Sequence, residues 1–285
     1  MTMPATPQEH QAPQQQGWGA PPGPYASPIP VRSPGLGDAI ASEWTKIRSV
    51  RSTMWTLGVM IVLLVGIGLL TALVVNLSDA PLDDAPVLSM GFFGVLLGSI
   101  CVMTLGVLTI ASEYGTGMIR TTLTACPSRA RILIAKSVVF FLLSFTITTV
   151  TTGVVGVLQT AILDGATPDT GLWVRSTVGV GLYVATLGLL SLALGTIIRH
   201  SAGAITIMIA VVLLPLVLAM FMFSPSLAGV QNALFQYSIP NQLGALYNTS
   251  MTSAGPSGWD PVWIIVGVTA VAMAGAFAAL DRRDV

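Results

Sequence analysis

WTLGVMIVLLVGIGLLTALVVN, residues 55–76, is an apolar run with no Lys, Arg, Asp or Glu in it. At a rise of ~1.5 Å per residue it is long enough, as a helix, to cross a hydrocarbon core of ~30 Å. Five more uncharged runs follow, at about 89–111, 137–163, 177–198, 203–223 and 261–280. Charged residues make up 8% of the chain and apolar residues 53%, whereas an ordinary soluble domain is roughly 25% charged. A soluble fold of this length could not cover so much apolar surface. The pattern predicts an all-α integral membrane protein with six transmembrane helices.

The basic residues give this layout a direction. Arg32, Lys46, Arg48 and Arg51 precede the first run, Arg120, Arg129, Arg131 and Lys136 separate the second from the third, Arg199 follows the fourth, and Arg282 and Arg283 follow the last. Eleven of the twelve Lys and Arg residues thus fall in alternate gaps, and Arg175 alone lies on the other side. Asp79, Asp83, Asp84, Asp164, Asp169 and Asp260 share that other side with it. Because positive charge is retained in the cytoplasm during insertion, the reading is a multi-pass protein of the cell (plasma) membrane with both termini cytoplasmic. Cys101, inside a run, and Cys126, in a reducing compartment, are not expected to pair.

Outside the runs the chain changes character three times. Residues 1–35 are rich in Pro and Gln and bury too little apolar surface to offset ordering, which predicts a disordered cytoplasmic tail. Residues 36–285 form the expected membrane domain. Within it, Leu36, Ile40, Trp44, Ile47, Val50 and Met54 recur at three- and four-residue steps, while Glu43, Lys46, Arg48 and Arg51 occupy other faces. That spacing predicts an amphipathic helix over 36–54, too charged to cross the bilayer and suited to its boundary. The gap 224–260 has almost no charge but many apolar residues, and is expected to form short helices on the outer leaflet, packed against the spans. Gly94 and Gly98, and the seven-residue series Gly181, Gly188 and Gly195, predict close helix packing, and Pro215 a kink in the fifth run.

Several functions are excluded by what the runs lack. An ion-coupled carrier needs titratable groups at membrane depth, and the runs have none. No carboxylate pair, His cluster or metal spacing lies within them, so no catalytic residue, metal site or cofactor is expected. A channel is the weaker reading and not an excluded one, because no polar pore-lining stripe is visible in the runs. No Gly-x-x-x-x-Gly-Lys-[Ser/Thr] loop occurs, so any work driven by nucleotide must draw on another polypeptide. Attention therefore falls on the longest expected cytoplasmic loop, which runs from Glu113 and Tyr114 through Gly117, Met118 and Arg120 to Lys136. A short helix over 113–125, stopped by Pro127, would make a compact docking lever.

The stretch ASEWTKIRSVRST at 41–53 and the set Glu113, Tyr114, Gly117, Arg120, Leu123, Pro127, Arg129 and Lys136 resemble the membrane-spanning permease subunits of ABC type-2 exporters, in their actinobacterial form. With the six runs and the long gap before the last, the resemblance covers about 37–285. It implies a permease paired with a second copy or a related permease and served by separate cytoplasmic P-loop ATPase subunits, not an enzyme itself. Glu113, Tyr114, Gly117, Met118 and Arg120 would form the ATPase-coupling loop. Glu43, Trp44, Lys46, Arg48 and Arg51 would lie on the interfacial helix beside it. Membrane lipid is a further expected partner, and nucleic acid is not. The alternative is a non-transporting membrane scaffold that uses the same loop to dock a cytoplasmic protein.

Overall fold

The computed structural model describes residues 35–78, 86–125, 128–163, 168–250, 252 and 254–282; all of the 1–35 tail except Gly35 lies outside them, as do Cys126 and Pro127. Among the described residues there is no strand. Six helical segments are long and apolar enough to cross a membrane: Arg51–Leu77, Val87–Thr116, Arg129–Ile162, Thr170–Ile198, Ser201–Met220 and Asp260–Arg282. Length and hydropathy thus make the chain an all-helical protein of multi-pass membrane character, as the six apolar runs predict.

In chain order, α1 (Leu36–Ser49) leads into α2 (Arg51–Leu77), and a 3-10 turn (Val87–Gly91) opens α3 (Phe92–Thr116). A short α4 (Met118–Ala125) precedes the long α5 (Arg129–Ile162). Then come α6 (Thr170–Val174), a π-helical turn (Arg175–Gly179), α7 (Val180–Ile198) and α8 (Ser201–Met220). Two short helices, α9 (Ala228–Gln236) and α10 (Ile239–Leu246), precede the last span, α11 (Asp260–Arg282).

α7 is the hub. It packs on α3, α5, α8 and α11, and Val180, Tyr183, Ala185, Leu187, Leu192 and Ala193 along it are fully buried. Small residues permit this closeness. A Cβ added to Gly106 would strike the Gly188 carbonyl oxygen, and one on Gly195 would lie 3.0 Å from Ile110 and 3.1 Å from the Val107 carbonyl oxygen. Gly94 meets the Leu64 backbone in the same way, at 3.0 Å. The glycine series therefore faces neighbouring helices of the same chain, where backbones approach without hydrophobic help from water. Gly106→Leu is accordingly expected to lower the thermal midpoint in detergent by the equivalent of about 1–3 kcal/mol, since a backbone carbonyl cannot move aside. Gly153→Leu, with open space at its Cβ, should leave it unchanged.

Three expected boundaries move. The amphipathic helix stops at Ser49, not 54, because Val50 turns extended (φ −84°, ψ 109°) and α2 begins afresh at Arg51. The helix expected over 113–125 is divided: α3 continues through Glu113 to Thr116, Gly117 takes a left-handed φ of 73°, and only Met118–Ala125 forms α4. The third span begins eight residues earlier than its apolar run, so that Lys136 lies inside α5. In the long gap before α11 the short helices do form. α10 is buried along its whole length against α3, α7 and α11, while α9 packs on α8 with no buried residue.

Candidate functional site

The early start of α5 and the late end of α3 have one cause. Lys136 is completely buried, yet its Nζ donates to Glu43 Oε2 at 2.8 Å and to Glu113 Oε1 at 2.6 Å. Lys46 Nζ donates to Glu43 Oε1 at 2.9 Å and to Glu113 Oε1 at 2.5 Å. Two ammonium and two carboxylate groups thus close a ring in which charges alternate and sum to zero. Glu43 and Glu113 are each 3% exposed. Only Lys46, with 29% of its side chain exposed, opens toward the surface.

Helix geometry delivers each member. Glu43 and Lys46 are three residues apart and share a face of α1. Glu113 sits one turn before the Gly117 break, and Lys136 falls with Ile132, Leu133 and Phe140 on the buried face of α5. The ring therefore joins α1, α3 and α5. Buried charges are tolerated only when paired, and the loss of one partner typically costs ~3–5 kcal/mol. Burial acts to lower the Lys46 pKa, but the hydrogen bonds and charges of Glu113 and Glu43 outweigh it and hold the ammonium above the ordinary lysine value. Lys46 thus stays charged throughout the physiological pH range.

The helices consequently run on past the apolar runs, and these extensions carry the ionisable groups, Glu113 in α3 and Lys136 in α5. A boundary set at the nearest charge ends the second span before Glu113 and opens the third after Lys136. The pairing partners lie 23 and 67 residues from Glu113 along the chain, so nothing local marks it as neutralised.

Around the ring lies an open groove of about 230 Å³ between the start of α2 and the last turns of α3, lined by Lys46, Ile47, Thr56, Leu105, Ser112 and Met118 among others. Glu113 also faces it; its Oε1 serves both lysines, whereas Oε2 is buried and accepts no hydrogen bond. Next along α3, Tyr114 lies under the guanidinium of Arg199, whose Cζ is 4.9 Å from the ring centroid. Arg129 Nη1 donates to the Leu280 carbonyl at 2.7 Å, tying the start of α5 to the end of α11. Four helix ends are thereby locked at one end of the bundle.

The remaining candidate residues spread over its surface. Trp44 and Arg48 are exposed on α1, and Arg51, expected on the same helix, is exposed at the start of α2 instead because Val50 ends α1; the buried face of α1 consists of Glu43 and Ile47 and not the full apolar stripe. Met118 is 47% exposed at the rim of the groove, Arg120 is exposed, and Ile119 anchors α4 at 3% exposure. α4 is thus a short helix hinged at Gly117, pinned by Ile119 with Leu123 packed half-buried against the same core, and with Arg120, Thr121 and Thr124 outward. The residues that sequence reasoning does not place at the site are Lys136, although it carries part of the resemblance, and Arg199. For Lys136 a signal exists in its three- and four-residue spacing from Leu133, Ile132 and Phe140. For Arg199 there is none.

Among the described residues no three His, Cys, Asp or Glu side chains converge as metal ligands. No family model matches the chain, and comparison with curated proteins yields no match.

Proposed function

We propose that this chain is the membrane-spanning permease subunit of an ATP-driven exporter of the ABC type-2 class, working in the cell membrane with both termini cytoplasmic. The observation that carries the reading is the ion ring. Glu43 and Lys46 come from one of the two stretches that resemble such permeases, Glu113 and Lys136 from the other, and all four meet at one place. In this reading α1 is the interfacial helix, α4 the coupling helix, and α9 and α10 the outer-leaflet helices. Two copies, or this chain and a related permease, would form the pathway, and two separate cytoplasmic P-loop ATPases would supply the energy.

The arrangement suits such a task mechanically. A push on α4 passes through the Gly117 hinge to α3, and the ring carries it from α3 to α1 and α5 without slack, because a buried ion pair resists separation. α3 then loads α7, the hub of the bundle. Rigid elements that share discrete contacts are what alternating access requires.

Isolation from native membranes tests the reading. A P-loop ATPase should co-purify in about equal copy number, and the chain freed of it should not hydrolyse ATP. ATP turnover by the lone chain, or its recovery with a stable partner that is no ATPase, would refute the transporter assignment; the latter is the outcome expected of a docking scaffold.

A further inference from the structure

Arg175 is the one basic residue that the charge pattern sets apart, and the structure gives it unusual surroundings. It opens the π-helical turn Arg175–Gly179, ahead of α7. α7 is 19 residues long, so this end of it lies ~28 Å from the end that carries Arg199. π-helical turns are rare and often accompany functional positions. The guanidinium is only partly used: Nη2 donates to Asn248 Oδ1 at 2.6 Å, while Nε is buried without an acceptor. Asn248 is held for this contact in a left-handed backbone conformation, at φ 55°. Among the described residues Arg175 forms no ion pair. The acids at the neighbouring helix starts are occupied locally, Asp169 accepting from Gly171 N at 2.9 Å and Asp260 from Ser257 N at 3.1 Å.

Beside it begins an apolar groove. A Cβ on Gly179 would lie 3.3 Å from the Trp259 ring and 3.5 Å from Arg175 Cγ, and one on Gly258 would lie 3.7 Å from Arg175 Nη1. Trp259 is in turn a wall of an open groove of about 640 Å³ between α5, α7 and α11, continued by Leu182, Leu189, Val266 and Met273. Thr186 and Thr269 are its polar residues, and the Thr269 hydroxyl is engaged with the Thr186 carbonyl at 3.3 Å. Trp263, 72% exposed, stands at the rim as indoles do at a membrane boundary. A long uncharged slot with one under-used guanidinium at its end is complementary to a molecule with an anionic head and an apolar chain.

We infer that an anionic phospholipid occupies this groove, its phosphate on Arg175 and one acyl chain along α11 between α5 and α7. The inference rests on the membrane class of the chain and not on the transport reading. Neither half of the site suffices. The guanidinium fixes the head by charge-assisted hydrogen bonds, and the groove fixes the chain by contact.

The test is lipid retention by the full chain, purified in mild detergent after exposure to equal amounts of phosphatidylglycerol and phosphatidylcholine and read by native mass spectrometry. Phosphatidylglycerol should be retained preferentially, and Arg175→Gln should reduce its retention about tenfold, the loss of one charge-assisted contact. Ala270→Phe, which fills the groove and leaves Arg175 in place, should reduce retention of both lipids. Arg48→Gln, on a helix at the other end of the bundle, should leave the preference intact. Water-soluble glycerol 3-phosphate should not compete. Equal retention of the two lipids by the unaltered chain, undiminished preference in Arg175→Gln, or full competition by glycerol 3-phosphate would each overturn the inference.

Discussion

Lys136→Met is expected to destabilise the fold more than any other single change to a side chain of the ring. It strands Glu43 and Glu113 in the interior with only Lys46 between them, leaving one buried negative charge unbalanced, at a cost of ~3–5 kcal/mol. Lys46→Met removes the same charge from a position with 29% side-chain exposure, where water can reach the carboxylates, and should cost clearly less. The double change Glu113→Gln with Lys136→Met restores neutrality and should recover much of the loss, because a matched pair has been removed and not half of one. Thermal midpoints in detergent at matched purity decide the matter. Equal losses for the two lysines, or no recovery in the double variant, would mean that the ring does not organise these helix ends.

If the chain is the permease subunit proposed above, Arg120→Glu and Gly117→Pro are expected to have the largest effects on ATPase docking. Arg120 lies exposed on α4, away from the ring, so its reversal should leave the fold alone. At a protein interface it would place a negative charge where a positive one docks; an unpaired, desolvated charge typically costs ~2–5 kcal/mol, which lowers ATPase occupancy more than tenfold. Gly117→Pro acts differently. Its φ of 73° is closed to proline, whose ring holds φ near −65°, so the hinge between α3 and α4 must rearrange while both helices remain. Arg282→Glu, at the end of α11, controls for a general loss of positive charge. ATPase co-purification at equal membrane abundance is the readout. Normal docking in both variants would remove α4 from the mechanism.

The six long helices are legible in the sequence because six uncharged runs, each as long as a bilayer is thick, are too much apolar surface for a chain of this size to bury in water. The interfacial pattern of α1 is legible from its periodicity. The ends are not. A charge usually marks where an apolar run stops, but at Glu113 and Lys136 the helix continues past it, each being neutralised by a residue distant in sequence. The division at Gly117 is concealed for a related reason, since the same glycine reads as tolerable inside a short polar helix and as a left-handed stop after a long apolar one. Its role is fixed only by α3 continuing to Thr116. Of the candidate residues, Glu43 and Lys46 fall on the expected helix, but Glu43 is buried and Lys46 only partly solvated, unlike the solvated faces that the pattern assigns them. The stripe rule weighs apolar residues alone and cannot foresee that the buried face of α1 carries a carboxylate.

The most direct test of the central claim is a photo-crosslinking amino acid at Thr121, on the exposed face of α4, in intact native membranes. An adduct with a P-loop ATPase, identified by mass spectrometry, is the predicted result, with no such adduct from the same group at Tyr237, which follows α9 and is 57% exposed. Capture of the ATPase from Tyr237 and not from Thr121 would contradict the claim.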